Sequence, residues 1–202
     1  IQVYATDGDD SLGGSDFDIC LEHLIRDKFN SYEGTGKDNN INTNTNTDSD
    51  TRVIELKSVL YIPHCVSLRI IAEQVKKYLS NSTIVELKCD TIEHHTSTKK
   101  IEQIEQMNIH ESKTITISRH EFQYTYKQCS SLFERALTPL VRLLDSLEMT
   151  PLDVDEVVLV GGSTRIPYIK ELLKEFFKYN VHINDKIDPD VTVAFGAASI
   201  ID

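Results

Sequence analysis

The chain has no run of apolar residues long enough to cross a membrane, which takes about 20 in succession. Nor does it concentrate positive charge: 21 Lys and Arg stand against 32 Asp and Glu, a formal charge of −11. Binding to phosphate backbones needs clustered cations, so this balance argues against nucleic acid as the main partner. Cys20, Cys65, Cys89 and Cys129 form no Cys-x-x-Cys pair and have no matching histidine spacing, which argues against zinc. Buried free thiols, and with them a reducing, cytoplasmic compartment, are expected instead, with the endoplasmic reticulum as the alternative. No Walker-type Gly-x-x-x-x-Gly-Lys run and no Gly-x-Ser-x-Gly elbow occurs. His94-His95 reads as solvated, in a polar turn. No signal peptide is visible, and the chain reads as truncated at its start.

What is present centres on Val157-Val158-Leu159-Val160-Gly161-Gly162-Ser163-Thr164-Arg165-Ile166-Pro167. Four apolar residues predict a short buried strand, and the two glycines a turn that a ligand can approach. Ser163 or Thr164 is expected to cap the following helix, with Pro167 in its first turn. That helix places Ile166, Ile169, Leu172, Leu173, Phe176 and Phe177 at helical spacing. Strand, glycine turn and helix N-terminus together fit an anion site.

Along the rest of the chain, residues 2–6 read as a strand, and Ser15 with Asp18 as a capping box. The next helix turns Phe17, Cys20 or Leu21, Leu24 and Ile25 inward. Gly34 to Thr51, an Asn/Thr-rich stretch, reads as a surface insertion. Val66 to Leu79 predicts a helix with Leu68, Ile71, Ala72, Val75 and Leu79 as its apolar stripe. Ile84–Cys89 and Thr114–Ile117 pair as strands around a long polar turn, 90–113. Ser118 with Glu121 opens a long helix that Pro139 is expected to kink or break. Asp188 and Pro189 begin the last helix, with Val193, Ala197 and Ile201 inward.

On the Val66–Leu79 helix, Glu73, Lys76, Lys77 and Ser80 recur at i, i+3, i+4 and i+7, one stripe facing away from the apolar one. From pattern alone this is an ordinary solvated face with internal charge pairing.

Three motifs in order resemble the ATPase domain of the 70-kDa heat-shock chaperone family. They are Val158-Leu-Val-Gly-Gly-Ser-Thr-Arg-Ile-Pro167, Gly8-Asp-Asp-Ser-Leu-Gly-Gly-Ser-Asp-Phe-Asp18 and Asp188-Pro-Asp-Val-Thr-Val-Ala-Phe-Gly-Ala-Ala198. Glu73-x-x-Lys76-Lys77-x-x-Ser80 is similar to the family's adenosine-binding segment. The resemblance implies an α/β fold: a lobe of an actin-like, ribonuclease H-like ATPase, with a mixed sheet packed by helices. It implies a core part made of residues 1–31 and 118–202. A smaller α/β subdomain, 32–117, would stand over a nucleotide cleft.

It further implies that Glu73 and Lys76 contact the ribose, Ser80 the adenine edge, and Lys77 and Arg165 opposite faces of the base. Gly161, Gly162 and Ser163 would meet ribose and phosphates, Gly14 would permit close approach, and Asp190 would lie near the phosphates. The cofactor implied is ATP or ADP, with Mg2+ held mainly by residues outside this chain. The implied partners are nucleotide-exchange factors, co-chaperones and the first ATPase lobe.

Lys77 stands where the family usually has Arg, which weakens stacking on adenine by roughly 0.5–1 kcal/mol. The family's phosphate hairpins and catalytic lysine have no counterpart here, so the chain alone is expected to bind nucleotide weakly without turnover. A non-hydrolysing exchange factor or scaffold of the same fold is the alternative. A sugar or acetate kinase of that fold is a third reading, disfavoured by the Glu73–Ser80 pattern. The sequon Asn81-Ser82-Thr83 ends the adenosine helix, where a glycan would obstruct the site.

Overall fold

A computed structural model describes residues 2–33, 57–62, 67–90, 112–184 and 186–199. The 34–51 insertion, His94-His95, Cys65, Ile201 and nearly all of the 90–113 turn lie outside these.

Helix α1 (Gly14–Glu33) buries Phe17, Cys20, Leu21, Leu24 and Ile25, the face that the spacing predicts. Strand β1 (Lys57–Ile62) leads through helix α2 (Leu68–Asn81) to strand β2 (Ile84–Asp90) and strand β3 (Ser112–Ser118). The strands form one mixed sheet in the order β1-β2-β3. β1 runs parallel to β2, with Lys57 opposite Ile84, and β2 pairs antiparallel with β3, Ile84 opposite Ser118. A parallel pair needs a crossover, and α2 supplies it. Its stripe is as expected: Ile71, Ala72, Val75 and Leu79 are buried against α1 and the sheet, with Leu68 packed at the edge.

The Ser118/Glu121 capping box forms: Glu121 Oε2 accepts from the Ser118 N–H at 2.9 Å, and Ser118 Oγ accepts from the Glu121 N–H at 3.1 Å. The helix behind it is not continuous. Glu121–Thr125 make a wide turn, Tyr126 is extended, and helix α3 spans Lys127–Ser146. Of the two expected outcomes, a break does not occur: Pro139 lies inside α3. Buried Leu144 and partly buried Leu137 and Leu140 flank it and pack into one apolar cluster.

Strand β4 (Glu156–Val158) precedes helix α4 (Pro167–Phe176). Strand β5 (His182–Asn184) pairs parallel with β4, and helix α5 (Thr192–Ala198) follows. The Val157–Val160 run is less buried than expected: Leu159 is inside, while Val158 and Val160 remain 48% and 45% exposed. Among the described residues, the sheet of this part of the chain is the parallel β4-β5 pair. Residues 2–6 form no strand, because they have no ladder partner among the described residues; Val3 and Tyr4 are exposed. Instead Arg142 grips Asp7 through both Nε and Nη2, at 2.8 and 2.9 Å. α5 begins at Thr192 rather than at Pro189, and its Val193 is exposed rather than inward.

The free-thiol expectation is also corrected for two cysteines. Cys20 of α1 and Cys129 of α3, both buried, are joined as a disulfide with their Cα atoms 5.3 Å apart, a spacing at which such a bridge forms without backbone movement. Sequence reading missed the pair because 109 positions separate them.

Candidate functional site

The glycine turn is built as its composition demands. Gly161 has φ +86°, a conformation that favours glycine, and its N–H donates to the Pro189 carbonyl at 2.9 Å. Gly162–Arg165 then form a single 3₁₀ turn, and α4 begins at Pro167. Neither Ser163 nor Thr164 caps α4: the intervening turn moves the helix start past them, and Thr164 Oγ1 donates back to the Gly161 carbonyl at 2.8 Å. Pro167 does take the first helical position.

α1 also starts differently from the expected Ser15/Asp18 box. Its first turn is fastened by Asp16, whose Oδ2 accepts from the Gly13 N–H at 2.7 Å. That frees Asp18 to face α2, where its Oδ1 lies 2.8 Å from Lys76 Nζ, with only 11% and 13% of the two side chains exposed. Lys76 Nζ donates as well to the Gly14 carbonyl at 2.8 Å. A side chain on Gly14 would place Cβ 3.0 Å from Ser163 Oγ and 3.4 Å from Lys76 Nζ. Gly14, Lys76 and Ser163 therefore meet at one point, where only a glycine fits without displacement.

From that point a cavity of about 940 Å³ opens between α2 and the glycine turn. Glu73, Lys76, Lys77 and Ser80 line one wall, and Gly162, Ser163, Arg165 and Asp190 the other. Gly14 and Gly161 stand just outside, the first against Lys76 and Ser163, the second shaping the turn. Sequence reading missed four of the cavity's residues: Asn81, Ile166, Pro167 and Lys170. Ile166 and Lys170 share an i, i+4 face at the head of α4, a signal the spacing carries.

The charged groups are already partnered. Glu73 and Lys77 form an i, i+4 pair at 2.7 Å. The hydrogen bond from Lys77 holds the Glu73 carboxyl below its usual range, and the same bond raises the Lys77 ammonium. Arg165 donates to Asp190 at 2.9 Å and also to Asp188, and these bonds raise its pKa further, that with Asp190 most of all. Ser80 Oγ donates to the Lys76 carbonyl at 3.1 Å. A ligand with vicinal hydroxyls and a flat, electron-rich ring suits such a wall, because exposed ion pairs are weak and exchange readily. No group of three His, Cys, Asp or Glu among the described residues is placed to hold a metal ion. Asp188 and Asp190 face Arg165 instead. No described helix is long and apolar enough to cross a membrane.

Comparison with known proteins gives the family. The family model described as Hsp70 protein matches residues 1–202. The chaperone protein dnaK3 of Synechococcus elongatus is 32% identical over 199 residues, covering 98% of this chain and 21% of the relative. The chaperone protein DnaK 1 of a Synechococcus species matches with the same identity and coverage. The chain thus spans about a fifth of the length of these curated relatives. With three ordered motifs and a match along its whole length, the chain belongs to the Hsp70 protein family.

Proposed function

We propose that this chain is the adenosine-side lobe of an actin-like ATPase domain in an Hsp70-type molecular chaperone, binding ATP and ADP. Residues 1–31 and 118–202 form the lobe's core, and 32–117 the smaller subdomain over the cleft. In the whole protein, hydrolysis would drive protein folding, and exchange factors and co-chaperones would act on this lobe. Mg2+ would be held mainly by groups supplied from elsewhere.

One observation carries the reading. The Glu73/Lys76/Lys77/Ser80 face of α2 and the Gly162–Arg165 turn line the same cavity, with Lys77 and Arg165 on facing walls as a stacked purine requires. Glu73 would exchange its bond to Lys77 for the ribose hydroxyls, and Arg165 would exchange Asp188 for the base. The Cys20–Cys129 bridge favours the endoplasmic reticulum over the cytoplasm, because disulfides persist in oxidising compartments.

The test is titration of ADP into the chain and into Arg165→Ala, followed by amide NMR. Shifts clustered at Glu73, Lys76, Lys77, Ser80 and Arg165, with affinity lowered about 10-fold in the variant, support the site. Shifts scattered elsewhere reject it. Measured turnover of the whole protein separates a working ATPase from a non-hydrolysing relative, which would bind nucleotide without consuming it.

A further inference from the structure

The sequence holds a single Asn-x-Ser/Thr triplet, Asn81-Ser82-Thr83. The Asn/Thr-rich stretch contributes none, because in it no Ser or Thr stands two places after an asparagine. Such a triplet accepts an N-linked glycan where it lies at the surface, outside regular structure, in a chain that passes through the compartment of oligosaccharide transfer.

Each condition has support here. α2 ends at Asn81, and Ser82 is extended, with φ −118° and ψ 150°. β2 starts at Ile84, so the triplet straddles the break between helix and strand. Asn81 is exposed. The Cys20–Cys129 bridge belongs to an oxidising compartment, and the endoplasmic reticulum is both oxidising and the place of glycan transfer.

We propose that Asn81 carries an N-linked glycan, and that its first sugars compete with nucleotide for the cavity between α2 and the glycine turn. In the transfer, Asn81 Nδ2 bonds to the anomeric carbon of the oligosaccharide. The bond from that carbon to the diphosphate of a lipid carrier breaks. The lipid diphosphate leaves with the bonding pair, and the amide proton passes to a base of the transferring enzyme. Asn81 lines the cavity together with Glu73, Lys77 and Ser80, so the attached sugars start on its wall. The exposed ion pairs there suit vicinal hydroxyls, which a glycan carries as ribose does. A short tether holds those hydroxyls at an effective concentration on the order of millimolar. The competition rests on the adenosine reading above; the acceptor assignment does not.

The test takes the whole protein from its own cells and digests it with trypsin. The peptide 78–88 is then treated with peptide-N-glycosidase in heavy-oxygen water, which should convert Asn81 to a labelled aspartate as the glycan is released. Thr83→Ala, which leaves Asn81 in place, should abolish the label, and so should Asn81→Gln. By calorimetry, both variants should bind ADP about 10-fold more tightly than the glycosylated wild type, the order of effect a tethered competitor produces. A peptide recovered wholly unlabelled overturns the assignment. Label together with equal ADP affinity in wild type and variants overturns the competition. If neither variant binds ADP, the adenosine reading falls and the competition with it, while the labelled glycan stands.

Discussion

Lys76 and Asp18 fasten the α2 wall of the cavity to α1, with Nζ and Oδ1 2.8 Å apart across the α1–α2 contact. Asp18 Oδ1 makes no aligned hydrogen bond, so the attraction is chiefly that of opposite charges at short range. Lys76 also holds the Gly14 carbonyl. Its first task is therefore architectural, and contact with a ribose would be added to that.

Removing one member of a largely buried pair strands the other. Lys76→Met should lower unfolding free energy by about 3 kcal/mol, and Asp18→Leu with Lys76→Met should recover part of the loss. Urea denaturation of the two variants measures this. A cost below that of an ordinary exposed pair in the single variant would show that the tie is ornamental.

Asp9 should titrate far below a free carboxylate. The hydrogen bond from Arg135, then those from the Ser11 hydroxyl and N–H, lower it from 3.8 to about 2. A lowered carboxyl favours the folded state above its ordinary pKa, and that contribution disappears as pH falls from about 4 toward 2. In Arg135→Ala the Asp9 carboxyl carbon, followed by NMR, should titrate closer to 3.8, and acid unfolding should begin at higher pH.

Two phenols should resist ionisation. Tyr126 donates to Asp27 at 2.7 Å and Tyr124 to Glu171 at 2.9 Å. Burial first, and these carboxylates second, push each up to about 12. A raised phenol favours the folded state below its ordinary value near 10, and the contribution is lost as pH rises from there through 12. Ultraviolet titration of Tyr126→Phe and Tyr124→Phe should each remove one late-ionising group and leave the early ones unchanged.

The disulfide should contribute strongly to stability, because it closes a long loop in the unfolded chain. Reduction, or Cys20→Ser with Cys129→Ser, should cost about 2–5 kcal/mol. Chemical denaturation with and without reductant gives the difference directly.

Much of this arrangement can be read from local spacing, and the remainder depends on distance. The α2 stripe follows from helical periodicity, and the Glu73–Lys77 pair follows from i, i+4 geometry. The β2–β3 pairing follows from two apolar runs around a polar stretch. Asp18 misleads because Ser15/Asp18 and Gly13/Asp16 have the same capping spacing, and the second won. β1 went unread beside a low-complexity stretch. The partners of Arg165 lie 23 and 25 residues away, and nothing in the local sequence announces them. Asn81 follows Ser80 in sequence, yet only the shape of the cavity brings it to the wall.

The sulfur bridge changes what kind of object the three-stranded sheet is. The backbone leaves α1, passes through β1, α2, β2 and β3, and returns at α3, so the Cys20–Cys129 bond makes that whole excursion a covalent ring. A protease that nicks the ring once cannot release a fragment from it; both new ends stay on one molecule until a reductant opens the bond. A single cut in α2 would then yield no smaller piece on a non-reducing gel, and two pieces once a reductant has opened the bond.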